Sequence, residues 1–202
     1  MNCPPELGAI AAAFAARRPG PDTDLPVTHK AAVAAVFRAA PAARGAELLF
    51  IRRAEHPRDP WSGHMGLPGG RVEPGDDSPL AAALRETREE LGIDLASAGR
   101  PLGRLSEVRT HLGGDALPKS VVPFGFALDA TPELVLNHEV QEAIWVPLGF
   151  LADPGNRDSL RHVHRGTTLA LPCYRFEGRV IWGLTLWIVD ELLALAGREG
   201  GA

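Results

Sequence analysis

The chain is poor in cysteine and has no long uncharged apolar run. Cys3 and Cys173 are the only two thiols among 202 residues. Two thiols cannot build a thiolate metal cluster, and Cys3 stands in a terminal tail, so no disulfide is expected and a reducing cytoplasm fits. The apolar stretch at residues 9–16 is too short to cross a bilayer. Glu6 precedes it and Arg17 and Arg18 follow it, the reverse of a secretory signal, so it reads as a short amphipathic helix and no membrane attachment is expected. An excess of positive charge is also missing. Lys and Arg total 21 against 25 Asp and Glu, for a net charge of -4 and a pI of about 6.0. That argues against a nucleic-acid-binding surface as the main role. There is no Gly-x4-Gly-Lys phosphate loop, Ser62-Gly63 makes no nucleophile elbow, and neither repeats nor low-complexity segments occur.

What remains is an ordinary globular composition, 45% hydrophobic and 23% charged, long enough for one domain with a good core and a modest appendage. Residues 19–26 carry three prolines and two aspartates and read as a linker. Runs at 31–38 and 47–53 read as two strands of a hairpin, joined by a turn at 41–45. A loop rich in Pro, Gly, His and charge fills 54–66. A helix is expected over 78–91, with Ser78 as N-cap, Pro79 in the first turn and Gly92 as the stop. Further strands are expected at 102–109, 121–128 and 143–146. Short strands or a hairpin follow at 168–171, 174–176 and 180–181 around Glu177-Gly178, and then a closing helix at 183–196. This order implies an α+β fold, an α/β/α sandwich with a mixed sheet between helices. The expected organisation is an N-terminal helix and linker over 1–27, a catalytic domain over 28–197 and a flexible tail over 198–202.

The segment Gly69–Ile93 (GGRVEPGDDSPLAAALRETREELGI) carries the chemistry. Arg85, Glu86, Glu89 and Glu90 fall within six positions. Acids at i, i+3 and i+4 share one helix face and repel each other. A hard divalent cation relieves that repulsion, because Mg²⁺ and Mn²⁺ prefer carboxylate and carbonyl oxygens. The two glycines before the helix let the backbone come close to a metal or a phosphate.

This segment resembles the Nudix box: Gly, five residues, Glu, seven residues, Arg-Glu, an apolar residue, any residue, Glu-Glu, any residue, Gly and an apolar residue. The second half matches from Arg85 to Ile93, with Thr87 at an apolar position. The first half departs. Five residues separate Gly70 from Asp76, but eight then separate Asp76 from Arg85, and Asp replaces Glu. The longer spacing with Asp resembles the coenzyme A pyrophosphatase branch of the family. So does Gly63, four residues before Leu67-Pro68-Gly69-Gly70, with Arg53 and Arg58 upstream. The match is imperfect there: Leu67 stands for Phe, Ala54 for Ser, and one residue is inserted between Arg58 and Gly63. Ile181-Trp182-Gly183-Leu184-Thr185 resembles the branch's segment opening the last helix, and residues 139–147 resemble the Nudix strand that ends in a Pro before a short helix.

The resemblance implies a metal-dependent hydrolase of pyrophosphate bonds in nucleoside diphosphate derivatives, with Mg²⁺ or Mn²⁺ as cofactor. Coenzyme A or acyl-CoA is the favoured substrate. Nucleoside diphosphate sugars, dinucleoside polyphosphates and oxidised nucleotides are alternatives, and a non-catalytic nucleotide-binding module is a third. It also implies roles for single residues. Glu86, Glu89 and Glu90 are metal ligands with the Gly69 carbonyl, and Arg85, Glu86 and Glu89 are catalytic, Arg85 pairing with Glu89. Arg53, Arg58, Gly70 and His64 are candidate substrate contacts, with His111 as a weaker one. Glu139 or Glu142 could supply another carboxylate, although a surface role is the stronger reading for either. Trp145, Trp182 and Trp187 are expected in the core, and loop residue Trp61 is the best candidate for stacking. The expected partner is a small nucleotide substrate, with no nucleic acid and no membrane, and a homodimer is left open.

Overall fold

The apolar run at 31–38 becomes the centre of the molecule. A computed structural model describes residues 6–20, 22–41, 45–55, 62–110, 118–164 and 167–198. In chain order it contains α1 (Leu7–Ala16), β1 (Lys30–Ala39), β2 (Ala46–Arg53), β3 (Met65–Gly66), β4 (Gly69–Arg71), α2 (Pro79–Leu91), α3 (Leu95–Ala98) and β5 (Gly99–Arg104). Then come β6 (Val108–Arg109), β7 (Ser120–Leu128), β8 (Val140–Pro147), α4 (Leu148–Ala152), β9 (Arg157–His164), β10 (Thr167–Phe176), β11 (Arg179–Trp182) and α5 (Gly183–Arg198).

The larger sheet has the order β3-β2-β1-β7-β5, with β8 on β2, β4 on β1 and β6 on β7. β1 and β7 run parallel and the other pairs antiparallel, so the sheet is mixed, as expected. β1 is buried on both faces because its small and branched residues alternate between two cores. Ala31, Ala35 and Phe37 face Ile10, Phe14, Leu186 and Ile188, whereas Ala34 and Val36 face Leu91, Ile93 and Leu95. Helices thus cover both faces. Among the described residues no helix is long and apolar enough to cross a membrane.

Several expectations change in detail. The strand expected at 102–109 divides into β5 and β6. The two short strands expected over 168–176 are one ten-residue strand, β10, and β9 before it adds a partner the sequence did not announce. Glu177 and Gly178 join β10 to β11 with φ 48° and 81°, the positive angles of a tight hairpin turn. Trp187 is 69% exposed rather than in the core, whereas Trp145 packs half-buried under the Arg38 guanidinium, 4.2 Å from its ring centroid. Trp61 and Cys3 lie outside the described residues, as does the middle of the 41–45 turn. Cys173 is a buried free thiol.

α1 is packed into the core, with Phe14 only 5% exposed. A Cβ on Gly125 would stand 2.5 Å from the Phe14 ring, so glycine there opens the slot that takes the ring. The segment after α1 is tied down. Asp22 pairs with Arg104 at 2.5 Å, and Thr23 donates to Glu107 through its amide (2.8 Å) and hydroxyl (2.6 Å). Glu107 also accepts from Ser120 and from Lys30 at 3.0 Å, and its side chain has no exposed surface. Burial pushes this carboxyl up, but the hydrogen bonds from Ser120, Thr23 and Lys30 outweigh it and hold it down at about 2.

A depressed carboxyl stabilises the fold above its unfolded value and stops doing so as pH falls through its folded value. For Glu107 that window runs from 4.5 down to about 2. We predict that Glu107→Gln costs up to about 3 kcal/mol at pH 7 and flattens the loss of stability across the window. Urea melts at a series of pH values check this, and equal slopes in the two proteins would remove the assignment.

Candidate active site

The site begins with an acid on the wrong face of a helix. The Ser78 hydroxyl accepts from the Ala81 amide at 3.2 Å, Pro79 opens the first turn, and Gly92 (φ 71°) closes α2. Within this frame Ala83, Thr87, Glu90 and Leu91 share the buried face. Thr87 fits the apolar position of the motif because its hydroxyl donates to the Ala83 carbonyl at 2.7 Å. Ala82 and Ala83 pack with Ala32 of β1, and these small side chains let α2 lie close to the sheet. Glu90 is carried in with them. It is 2% exposed and accepts from the Gly69 amide at 2.8 Å. Burial pushes its carboxyl up to about 8 against that hydrogen bond, and the Glu86 charge adds to the rise. Burial also raises Glu86, with Arg85 offsetting part of the effect.

Glu86, Glu90 and Glu139 form one group, each offering a carboxylate oxygen within 4.8 Å of the others. Glu139 comes from the loop before β8, which is pinned to the end of α2. The Asn137 amide donates to the Glu90 carbonyl at 3.1 Å, the Val135 amide to the Leu91 carbonyl at 2.9 Å, and the Ala54 amide to the Glu139 carbonyl at 2.8 Å. Glu142 goes elsewhere. It binds Arg179 at 2.6 Å, and the Arg179 hydrogen bond holds its carboxyl below the usual range. The surface reading therefore fits Glu142, while Glu139 joins the cluster. Three crowded carboxylates, without thiolate or imidazole, are the donor set of a hard divalent cation. Nudix hydrolases as a class use such ions.

Arg85 organises the rim. It donates to both oxygens of Asp76, from Nε and from one terminal nitrogen, each at 3.0 Å. It also reaches Glu86 and Glu89 at 3.1 Å and the Arg71 carbonyl at 3.1 Å. A planar five-donor fork suits this task and an ammonium does not. The expected Arg85–Glu89 pair is present. Glu89, however, is not one of the three clustered carboxylates: its side chain is 53% exposed and turned to Arg85, although its charge still acts on Glu86.

The glycines have separate tasks. Gly69 (φ 140°) pairs with Val33, and a Cβ there would stand 2.2 Å from the Ala32 carbonyl oxygen. A Cβ on Gly70 would stand 2.4 Å from the Glu86 carboxylate. Both glycines line a cleft of about 330 Å³ with Glu86, Glu90, Glu139 and Arg53. Arg53 also acts electrostatically on Glu90. His64 does not line this cleft; its ring packs edge-on to Trp182, centroids 5.1 Å apart. Arg58 and His111 lie outside the described residues.

The Nudix domain model matches residues 28–166. The chain belongs to the Nudix family. NudL of Yersinia pestis (strain Pestoides F), described as an uncharacterized Nudix hydrolase, is 32% identical over 146 residues, 72% of this chain and 70% of the relative. Two solved structures share the fold. The MutT protein from Methanosarcina mazei Go1 has a TM-score of 0.52 and 22% identity, covering 86% of this chain and 95% of that one. A MutT/nudix family protein from Enterococcus faecalis has a TM-score of 0.51 and 18% identity, covering 92% and 68%. The protein is a Nudix hydrolase, a pyrophosphohydrolase of nucleotide derivatives.

In this Nudix hydrolase Gly70→Ala should fold, because the new methyl meets the end of a movable side chain. It should displace the Glu86 carboxylate and lower kcat by roughly tenfold or more, a misplacement effect. Steady-state kinetics beside a thermal melt check this, and unchanged kcat would show that Glu86 can move without consequence.

Proposed function

We propose that this Nudix hydrolase cleaves coenzyme A or an acyl derivative to 3′,5′-ADP and 4′-phosphopantetheine, using Mg²⁺ or Mn²⁺. The observation that carries the reading is the lengthened loop. Asp76, the residue that sets it apart from the standard box, is held through both its oxygens by Nε and one terminal nitrogen of Arg85. Two further features support it. Leu184 and Thr185, from the segment that resembles the coenzyme A branch, line the cleft, and Arg53, which also lines it and acts on Glu90, is available for a substrate phosphate.

Glu86, Glu90 and Glu139 would hold the cation in this reading, and Glu89 and the Gly69 carbonyl would be further ligands. A bound cation would screen the diphosphate and acidify the attacking water. A water oxygen–phosphorus bond forms, the bridging oxygen–phosphorus bond breaks, and the water proton passes to Glu86 or Glu89. Arg85 positions both carboxylates. Gly70 keeps the backbone clear of Glu86 so that the diphosphate can approach. The enzyme is cytoplasmic with a small-molecule substrate, and residues 28–197 carry its chemistry while α1 is packed into the same core. A second reading, the same chemistry on nucleoside diphosphate sugars, dinucleoside polyphosphates or oxidised nucleotides, draws on Leu67, which departs from the coenzyme A pattern. The three clustered carboxylates speak against a non-catalytic module.

Incubation with coenzyme A and Mn²⁺, followed by chromatography, should yield 3′,5′-ADP. Glu90→Gln should lower turnover on the order of 100-fold with the fold intact. No 3′,5′-ADP at micromolar enzyme would remove the coenzyme A reading, and full turnover by Glu90→Gln would remove the metal assignment.

A further inference from the structure

The smaller sheet has the order β11-β10-β9, so β9 is an edge strand, and among the described residues β10 is its one ladder partner. Away from β11 the β9–β10 ribbon is open to water on both faces. Ser159, Arg161, Val163 and residues 167–170 are all exposed, Val163 to 65% and Leu169 to 41%. A two-stranded ribbon is marginal in water unless a further strand or layer covers it. Its edge also has a defined pattern of donors. Pro172 stands opposite Ser159 and has no N–H, so it cannot exchange both hydrogen bonds and the two form a non-bonded pair of the ladder. The amides of Ser159, Arg161 and Val163 therefore point away from β10. In agreement, the Ser159 amide donates to the carboxylate of its neighbour Asp158 at 2.7 Å.

We propose that this edge is a homodimer interface, in which β9 pairs antiparallel with β9 of a second copy about a two-fold axis at Leu160. Two copies of one strand are self-complementary when residues with outward amides meet each other. Centres at Ser159, Leu160 and Arg161 meet that condition with most of the strand overlapped. A centre at Ser159 sets Arg157 opposite Arg161, and a centre at Arg161 sets Arg161 opposite its own copy; like charges directly opposite are destabilising. A centre at Leu160 avoids both. It sets Asp158 opposite His162 of the second copy, twice by symmetry, so that a carboxylate meets an imidazole donor. It also sets Leu160 opposite Leu160 of the second copy. Leu171 lies across from Leu160 on β10, so four leucines form one row on a face of a continuous six-stranded sheet. Leu160 and Leu171 are only half-buried in the single chain. The Ser159 amide passes from Asp158 to the Arg161 carbonyl of the second copy. The interface does not depend on which diphosphate is cleaved.

Sedimentation velocity on the wild type should show a concentration-dependent species of twice 21.5 kDa. Arg161→Pro removes an outward amide and none that β10 uses, so this variant should keep the wild-type circular dichroism and sediment as a monomer throughout. Should proline disturb the ribbon, a pair of cysteine variants still decides. In a Cys3→Ser background, Leu160→Cys should form a covalent dimer under mild oxidation, since the two copies of residue 160 face each other in a close pair. Val163→Cys should not, although Val163 is the more exposed residue, because it and its copy stand about 20 Å apart in this register. A wild type that sediments only as a monomer, a dimer that survives in a folded Arg161→Pro, or cross-linking at Val163 as ready as at Leu160 would overturn the inference.

Discussion

The burial of Glu90 is the constraint on which the rest of the site depends. A carboxylate that is 2% exposed with one backbone donor is costly to keep charged, and Glu86 and Glu139 beside it increase the cost. A protein selected for stability alone would place an apolar residue there, as it does at Leu91 next door. Retaining three acids around one point makes sense where a divalent cation joins them, because the cation turns mutual repulsion into shared attraction.

Other features of this region serve that arrangement. Alanines at positions 32, 82 and 83 bring α2 close to β1, which brings Glu90 to the Gly69 amide. Glycine is required at 69 by contact with the Ala32 carbonyl, and at 70 it keeps clear the position of the Glu86 carboxylate. Arg85 holds the loop to the helix through Asp76 and sets Glu86 and Glu89 together. The extra loop residue before Arg85 therefore leaves the acid of the loop within reach of the arginine.

Much of this was legible in the chain. The capping signals of α2 hold to the residue, since Ser78, Pro79 and Gly92 act locally. The apolar runs of β1 and β2 also declare themselves, because burial on two faces demands continuous hydrophobicity. β9 did not, because Arg157–His164 is largely polar and owes its strand to pairing with β10. The group of three was half visible. Glu86 and Glu90 follow from helical spacing, but Glu139 joins them only because loop amides cap the end of α2, a tertiary fact with no spacing rule. Glu139 and Glu142 look alike in sequence, and Arg179, 37 residues downstream of Glu142, separates their roles. Trp187 is the opposite case: an aromatic residue on an apolar helix whose side chain nevertheless faces outward.

Thermal melting with and without Mn²⁺, on the wild type and on Glu90→Gln, tests the central claim most directly. If the acids are a cation site, Mn²⁺ at about 100 times its Kd raises the wild-type Tm by roughly 5–10 °C. Metal-free Glu90→Gln then melts close to the metal-free wild type, since a side chain of the same size can still accept from the Gly69 amide, and its response to Mn²⁺ is largely lost. A wild-type Tm that does not move at millimolar Mn²⁺, or a Glu90→Gln variant that responds as the wild type does, would contradict the account.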